Sequence, residues 1–545
     1  MKKHFILPKN PITAKNTFDI ITYIVLLAIS IILFVTAPKD GDFWWSEAPR
    51  NALNGALIFD FLKEAPLLDP INWAKHYYYQ YPALTILFYP PTLYICIAIF
   101  YIFFGVSHTS AIACISVFSF FLSFGIYKLA CRIATQASAL AASILVFAAP
   151  EILTWSQQVM LEIPMMCFSV WAAFFLIRYS ENNKWQDFFI FVLLILAASY
   201  TKQIAVVVGF SLIISILTCH GFKKLIKQPH VISISLFAIL LLIPLVLMQL
   251  KFGSFNIVSV VDRPEFNTNR LSLDNIFWYF NKFPTMMGWP LLSLCIFGIA
   301  TFFLKKLWLT KKIDSFIYIF WFLIGYTAMT IIDLKEPRHG IYLLIPLIII
   351  TSLFFDIFQS KAFYQFTPLI SLTLFALAII NYPTPHIEGY NKASQLIAEI
   401  APPNAKVLFA GNQDGNFIFN IRQNKLRHDI SIIRADKLFL NVAIMPNLGL
   451  NPKQLTIEQI SQIITQLGIS YVVTVPYVWA EAKPMAYLAE ILESTQFQKI
   501  SSIKIEGKTA DHELVVYKNL QALPTNPIGF DMELRAIGMH LNTTN

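Results

Sequence analysis

Through the first 385 residues, apolar positions fall in long unbroken blocks, with neither the two-residue alternation of a half-buried strand nor the narrow stripe of a surface helix. A helix that crosses a bilayer needs about 20 such residues. Blocks of about that length occupy 20–37, 163–180, 187–200, 202–219, 230–250, 286–304, 314–332, 339–358 and 362–381, some of them short. Three further apolar stretches lie near 92–106, 109–130 and 133–149. From about residue 386 the pattern changes. Ala405–Ala410, Ile430–Arg434, Ser470–Val475 and Glu513–Lys518 read as strands, and 390–400, 456–467 and 483–494 as amphipathic helices. The expected fold is therefore a polytopic α-helical membrane domain over 1–385, with juxtamembrane helices in 38–82, and a small soluble α/β domain over 386–545. Asn381-Tyr382-Pro383-Thr384-Pro385 reads as the linker. No internal repeat and no low-complexity segment is evident.

Composition narrows the class. Of 545 residues, 56% are apolar and only 13% charged, which excludes an ordinary soluble enzyme. The net charge of +9 lies wholly in the membrane part, because 386–545 holds 14 basic and 14 acidic side chains. That distribution speaks for topology signals and against nucleic acid as a partner. Lysines cluster at the N-terminus (Lys2, Lys3, Lys9, Lys15), in the loop at 220–229 (Lys223, Lys224, Lys227) and in the loop at 305–312 (Lys305, Lys306, Lys311, Lys312). With all three in the cytoplasm, 38–82, 150–162, 251–285, 333–338 and everything after 382 face outward. Parity then requires two net crossings between 83 and 149. Lys128 and Arg132 prefer the cytoplasm, so the stretch behind Pro90 and Pro91 is expected to be re-entrant or interfacial, giving about 11 crossings. The first block, Ile20–Ala37, lacks a small-residue cleavage site and reads as a retained signal anchor. The six cysteines sit in or beside apolar blocks without metal-ligand spacing.

Charged residues on the expected outer face carry the chemistry. The first loop runs Asp40-Gly41-Asp42-Phe43-Trp44-Trp45-Ser46-Glu47-Ala48-Pro49-Arg50-Asn51. Ser46 is the expected N-cap of a helix on which Glu47, Arg50, Asn51 and Asn54 share one face. Trp44 and Trp45 suit the membrane interface. Plain solvated acids on an interfacial helix are an equal reading of these residues alone. Glu162 opens an apolar helix on the same side, where an acid also suits the helix dipole. Lys202 breaks a run of apolar residues, and Lys335 and Arg338 stand in a tight turn. Positive charge on the outer side runs against the topology bias, and a phosphate would explain it. Acids beside such cations at a bilayer surface suit transfer from a lipid phosphate: an acid deprotonates an acceptor hydroxyl and the cations stabilise the departing phosphate. A divalent ion among Asp40, Asp42 and Glu162 is compatible with these residues, and nothing demands one, so no cofactor is required.

Several short motifs in this order resemble the GT-C glycosyltransferases, in the protein-O-mannosyltransferase and aminoarabinose-transferase branch. They are Trp45-Ser46-Glu47-Ala48-Pro49-Arg50-Asn51, Tyr89-Pro90-Pro91, Val159–Pro164, Thr201-Lys202-Gln203, and Lys335–Arg338 leading into Tyr342-Leu343-Leu344-Ile345-Pro346. The resemblance covers roughly residues 15–385. It implies an integral enzyme of a bacterial inner membrane that moves a hexose or pentose from a polyprenyl-phosphate donor to a lipid, glycan or protein acceptor on the periplasmic face, with inverting general-base chemistry. By motif position Glu47 matches the essential first-loop acid. The branch often has adjacent Asp and Glu there, whereas this chain has Ser46-Glu47, so Asp42 stays a second candidate base. Glu162, Arg50 and Asn51 are candidates for acceptor contact or for support of the acid. Lys202, Lys335 and Arg338 match positions expected near the donor phosphate. A polytopic transporter or lipid flippase is the competing reading. It favours inverted repeats and charges at the membrane midplane, neither of which the sequence shows.

Overall fold

The computed structural model describes residues 11–85, 88–252, 269–357, 361–442, 450–522, 531–534 and 539–542. Lys2, Lys3, Lys9 and the first half of the expected outer segment 251–285 lie outside the described residues. Among the described residues, six helices are long and apolar enough to cross a membrane, and two bent pairs raise that to eight. Four shorter apolar helices accompany them: Thr92–Phe104, Trp185–Ser199, Ala205–His220 and Phe366–Asn381.

The chain begins with α1 (Pro11–Thr36), then lays down α2 (Ala48–Glu64) and α3 (Pro70–Gln80) before α4 (Thr92–Phe104) and α5 (His108–Ala130). Pro49 sits in the first turn of α2, where its missing N–H costs nothing. The structure corrects the capping expectation. Glu47, and not the exposed Ser46, is the N-cap residue of α2, and its side chain makes no capping bond. That leaves the carboxylate available elsewhere. α2 packs closely on α4: a Cβ on Gly55 would stand 2.5 Å from Ile97, and the Tyr101 hydroxyl donates to the Ala52 carbonyl.

Two sets of contacts define two opposite faces. On the first, Thr92 at the start of α4 donates to the Tyr200 carbonyl, and His108 at the start of α5 stacks on Phe43 at 3.8 Å. Both ends of the α4 segment, the one that follows Pro90 and Pro91, therefore lie on one face. α5 then descends to the second face, where Arg132 pairs with Glu181 and Asp314, and where Thr135 and Ser138 donate to Asp356. α6 (Gln136–Leu145) returns to the first face and turns into α7 (Pro150–Ser156) with a 74° bend. α8 (Glu162–Asn182), α9 (Trp185–Ser199) and α10 (Ala205–His220) complete the centre. The lysine-bearing loops at 220–229 and 305–312 follow helix ends on the second face.

Beyond the Lys361–Asn381 helix the chain forms the α/β part. Its five-stranded sheet has the order Ser431–Arg434, Lys406–Ala410, Ile469–Thr474, Glu513–Asn519, Phe497–Lys504. The first three strands are parallel and the last two pairings antiparallel. Four of these strands and the helices Tyr390–Ile400, Ile457–Gln466 and Lys483–Leu492 lie where the hydrophobic pattern puts them, to within two residues. Phe497–Lys504 is an unpredicted edge strand whose residues after Phe497 are exposed or only partly buried, so it lacks the apolar run that marks its neighbours.

Candidate active site

The first face gathers the loop before α2, the end of α7, the start of α8, the α9–α10 junction and the 3₁₀ turn Pro337–Leu343. At its centre is Arg338, whose side chain is only 9% exposed. Its Nη1 donates to Glu47 Oε2 at 2.9 Å, Nη2 lies 3.4 Å from Glu47 Oε1, and Nε donates to Glu336 Oε2 at 2.6 Å. The guanidinium carbon lies 4.8 Å from the Trp45 ring centroid and 5.9 Å from that of Trp155, the two rings meeting edge to face. The aromatic faces and the two carboxylates fix its plane, as a planar fork allows and an ammonium does not. Burial works to raise the Glu47 carboxyl, but Arg338, with Lys202 and His339, more than offsets it and holds Glu47 below the usual range. Glu47 is thus ionised at neutral pH.

Beside this pair, Lys202 Nζ donates to Glu162 Oε1 at 2.7 Å. Glu162 is fully buried, and its Oε2 has no hydrogen-bond partner. Asn51 Nδ2 donates to the Val159 carbonyl at 2.9 Å and so ties α2 to the segment that leads into Glu162. Half-buried Tyr89 is near enough to feel the charges of Glu47, Arg338 and Glu162. The result is three acids, Glu47, Glu336 and Glu162, and two cations, Arg338 and Lys202, under a lining of Trp45, Trp155 and Tyr89.

Three residues of the predicted set go elsewhere. Asp42 is 2% exposed and is not brought to Glu47. Its Oδ2 accepts from the N–H groups of Gly389 at 2.8 Å and Tyr390 at 3.0 Å, and its Oδ1 from Asn391 N and Asn420 Nδ2, both at 2.8 Å. It caps the Tyr390–Ile400 helix, and burial, with Asp40 beside it, pushes its carboxyl up to about 7. Lys335 Nζ donates to the carbonyls of Met329, Thr330 and Ile332 and so closes the C-terminus of the Lys312–Ile331 helix. Arg50 turns to Asp414 of the α/β part, with Nη2 2.6 Å from Oδ1. The trio Asp40, Asp42 and Glu162 is not assembled, since Glu162 faces Lys202 and Asp42 faces backbone N–H groups. Among the described residues, no group of three or more His, Cys, Asp or Glu is placed to hold a metal ion. Sequence reasoning missed Trp155, because a tryptophan in an outer loop reads as a membrane anchor; an acid two residues before Arg338 reads as its partner in the turn, and Glu336 is one of its partners.

Residues 89–248 match the family described as dolichyl-phosphate-mannose-protein mannosyltransferase. No curated protein sequence matches the chain significantly. Among solved structures, ArnT from Cupriavidus metallidurans in the apo state aligns with a TM-score of 0.59 at 12% identity, over 94% of this chain and 100% of that one. The same protein bound to undecaprenyl phosphate aligns with a TM-score of 0.57 at 13% identity, over 93% and 99%. The Archaeoglobus fulgidus oligosaccharyltransferase in its apo form aligns with a TM-score of 0.52 at 12% identity, over 91% of this chain and 75% of that one. The shared fold spans both the helical part and the α/β part, whereas the family match falls on the segment from Tyr89 to α11 (Pro229–Phe252), which contains Glu162 and Lys202. The chain therefore shares the fold of ArnT and of the archaeal oligosaccharyltransferase over nearly its whole length, and its central segment 89–248 is similar to the protein mannosyltransferase family.

Proposed function

We propose that the protein moves a sugar from a polyprenyl-phosphate donor to an acceptor on the outer face of a bacterial inner membrane, with inversion at the anomeric carbon. The observation that carries this reading is the Arg338–Glu47 pair, with the guanidinium over the Trp45 and Trp155 rings, beside Glu162 and Lys202. One structural match holds undecaprenyl phosphate, and the Archaeoglobus fulgidus oligosaccharyltransferase AglB has been seen with a dolichol phosphate. The chemistry follows from the groups. Arg338 spends three of its five N–H groups on Glu47 and Glu336, so two remain for a phosphate oxygen. When the glycosidic bond to phosphate breaks, negative charge grows on the bridging oxygen, and Arg338 and Lys202 stabilise that state more than the ground state. Recruitment of Arg338 to the phosphate loosens its hold on Glu47. The carboxylate then takes the proton of the acceptor nucleophile as it attacks the anomeric carbon from the side opposite the phosphate. Arg338 and Lys202 supply the positive charge this step needs, so it requires no metal, and transfer is expected to persist in EDTA.

The test is Glu47→Gln, which keeps the shape of the side chain and removes its basicity. Turnover is expected to fall by about 10²–10⁴-fold with the thermal midpoint retained. Near-normal turnover would remove Glu47 from the reaction.

A further inference from the structure

The helix Asp414–Gln423 of the α/β part lies along α2 and grips it at intervals. Asn416 is fully buried, and its amide reads both backbone groups of Phe43: the Phe43 N–H donates to Oδ1 at 2.8 Å, and Nδ2 donates to the Phe43 carbonyl at 2.8 Å. Asn420 donates to Asp42, and Asp414 accepts from Arg50. Arg422 Nε donates to Asp60 Oδ2 at 2.8 Å, an oxygen that also accepts from the Tyr77 hydroxyl at 2.7 Å. Gly415 lets the helix lie directly on α2, since a Cβ there would stand 2.9 Å from Pro49 Cγ. One helix therefore holds the chain at residues 42, 43, 50 and 60. Glu47 lies between the second and third of these points.

The arrangement matters because Glu47 has no anchor on its own helix. It is the N-cap residue without a capping bond, and the bonds its carboxylate makes are to Arg338. Its position relative to Arg338 is set by the backbone from Phe43 to Arg50, and that backbone is fixed by the α/β part. An asparagine suits the Phe43 grip because its amide offers one donor and one acceptor, as a neighbouring strand would. Docking alone does not require such grips on both sides of a single acid.

We propose that the Asp414–Gln423 helix is a positioning element for Glu47, with Asn416 the residue that sets the 43–47 segment, so that the α/β part holds the base in register with Arg338. This rests on the reading of Glu47 as the general base. Misplacement of a catalytic group by about 1 Å can cost on the order of 10²-fold.

The experiment compares four full-length proteins in proteoliposomes: wild type, Glu47→Gln, Asn416→Asp and Gln496→Ala. Asn416→Asp turns a donor into an acceptor facing the Phe43 carbonyl. Gln496→Ala removes buried amide bonds to Ser461 and Thr465 inside the α/β part, far from α2 in the chain, and serves as a control for stability alone. Asn416→Asp is expected to lower kcat about 10- to 100-fold, with the donor KM within about twofold of wild type. Its acid limb of activity is expected at higher pH, because Glu47 drifts from Arg338. Gln496→Ala is expected to lower the thermal midpoint and leave kcat in place. If Asn416→Asp does not accumulate, Asn416→Ser is measured against the same thresholds. Wild-type kcat in the Asn416 variant beside an inactive Glu47→Gln overturns the positioning role alone. Equal kcat losses in the Asn416 and Gln496 variants also overturn it. An active Glu47→Gln overturns the base reading itself, and the positioning role with it.

Discussion

Glu47 and Asp42 stand five residues apart in one loop, and their residue types do not tell them apart. Their surroundings do. Asp42 accepts four hydrogen bonds from the α/β part, whereas Glu47 faces a guanidinium. Asp42→Asn turns one acceptor against a donor. It is expected to lower the thermal midpoint while costing less turnover than Glu47→Gln, as a melt and a rate on the same preparations would show. Arg338→Lys keeps the charge and loses the fork that reaches Glu47, Glu336 and a phosphate together, so its activity is expected to fall well below wild type. The sign of the pH effect follows from the same pair. Arg338 holds the Glu47 carboxyl below its ordinary value of about 4.3, so wild-type activity loses its base only under strongly acidic conditions. In Arg338→Gln burial is no longer opposed by that cation, and the acid limb of kcat/KM is expected to move to higher pH.

At the scale of elements, a buried ion pair joins the two parts. Asp60 and Arg422 are 5% and 4% exposed, and Arg422→Ala leaves the carboxylate with only Tyr77. Breaking such a pair from one side typically costs about 3–5 kcal/mol, to be read by denaturant unfolding of the α/β part. Docking in the membrane part is as close: a Cβ on Gly298 would stand 2.5 Å from the Ile350 carbonyl oxygen. Gly298→Val is therefore expected to reduce the yield of folded protein, since backbone atoms cannot yield as a side-chain tip does. The buried strands and the long apolar helices were legible in the sequence because burial writes a continuous apolar run. The edge strand Phe497–Lys504 was not, because most of its residues meet solvent. The cluster of Glu47, Glu162, Lys202 and Arg338 was legible as acids and cations on one expected outer face, the two cations running against the topology bias. Their pairing was not, since Lys202–Glu162 and Arg338–Glu47 join residues 40 and 291 positions apart. Arg50 shows the converse, as a cation whose carboxylate partner, Asp414, lies 364 positions away and is announced by no local pattern.

At the scale of the whole molecule, the face with Glu47, Arg338 and the α/β part stands opposite the face with Arg132, Asp314 and the lysine loops. Placing the lysines in the cytoplasm puts the candidate site outside. Cysteines introduced at Lys224 and Lys306 are expected to resist a membrane-impermeant maleimide in intact cells, whereas one introduced at exposed Leu426 reacts. Protection of position 426 would move the site to the cytoplasmic side. The most direct test of the central claim uses purified protein in proteoliposomes, given radiolabelled polyprenyl-phosphate sugars and, separately, nucleotide sugars. Transfer is expected from a lipid-phosphate sugar, disappearing in Glu47→Gln and falling in Arg338→Ala. Transfer from a nucleotide sugar alone, or lipid-phosphate transfer that survives both substitutions, would contradict that claim.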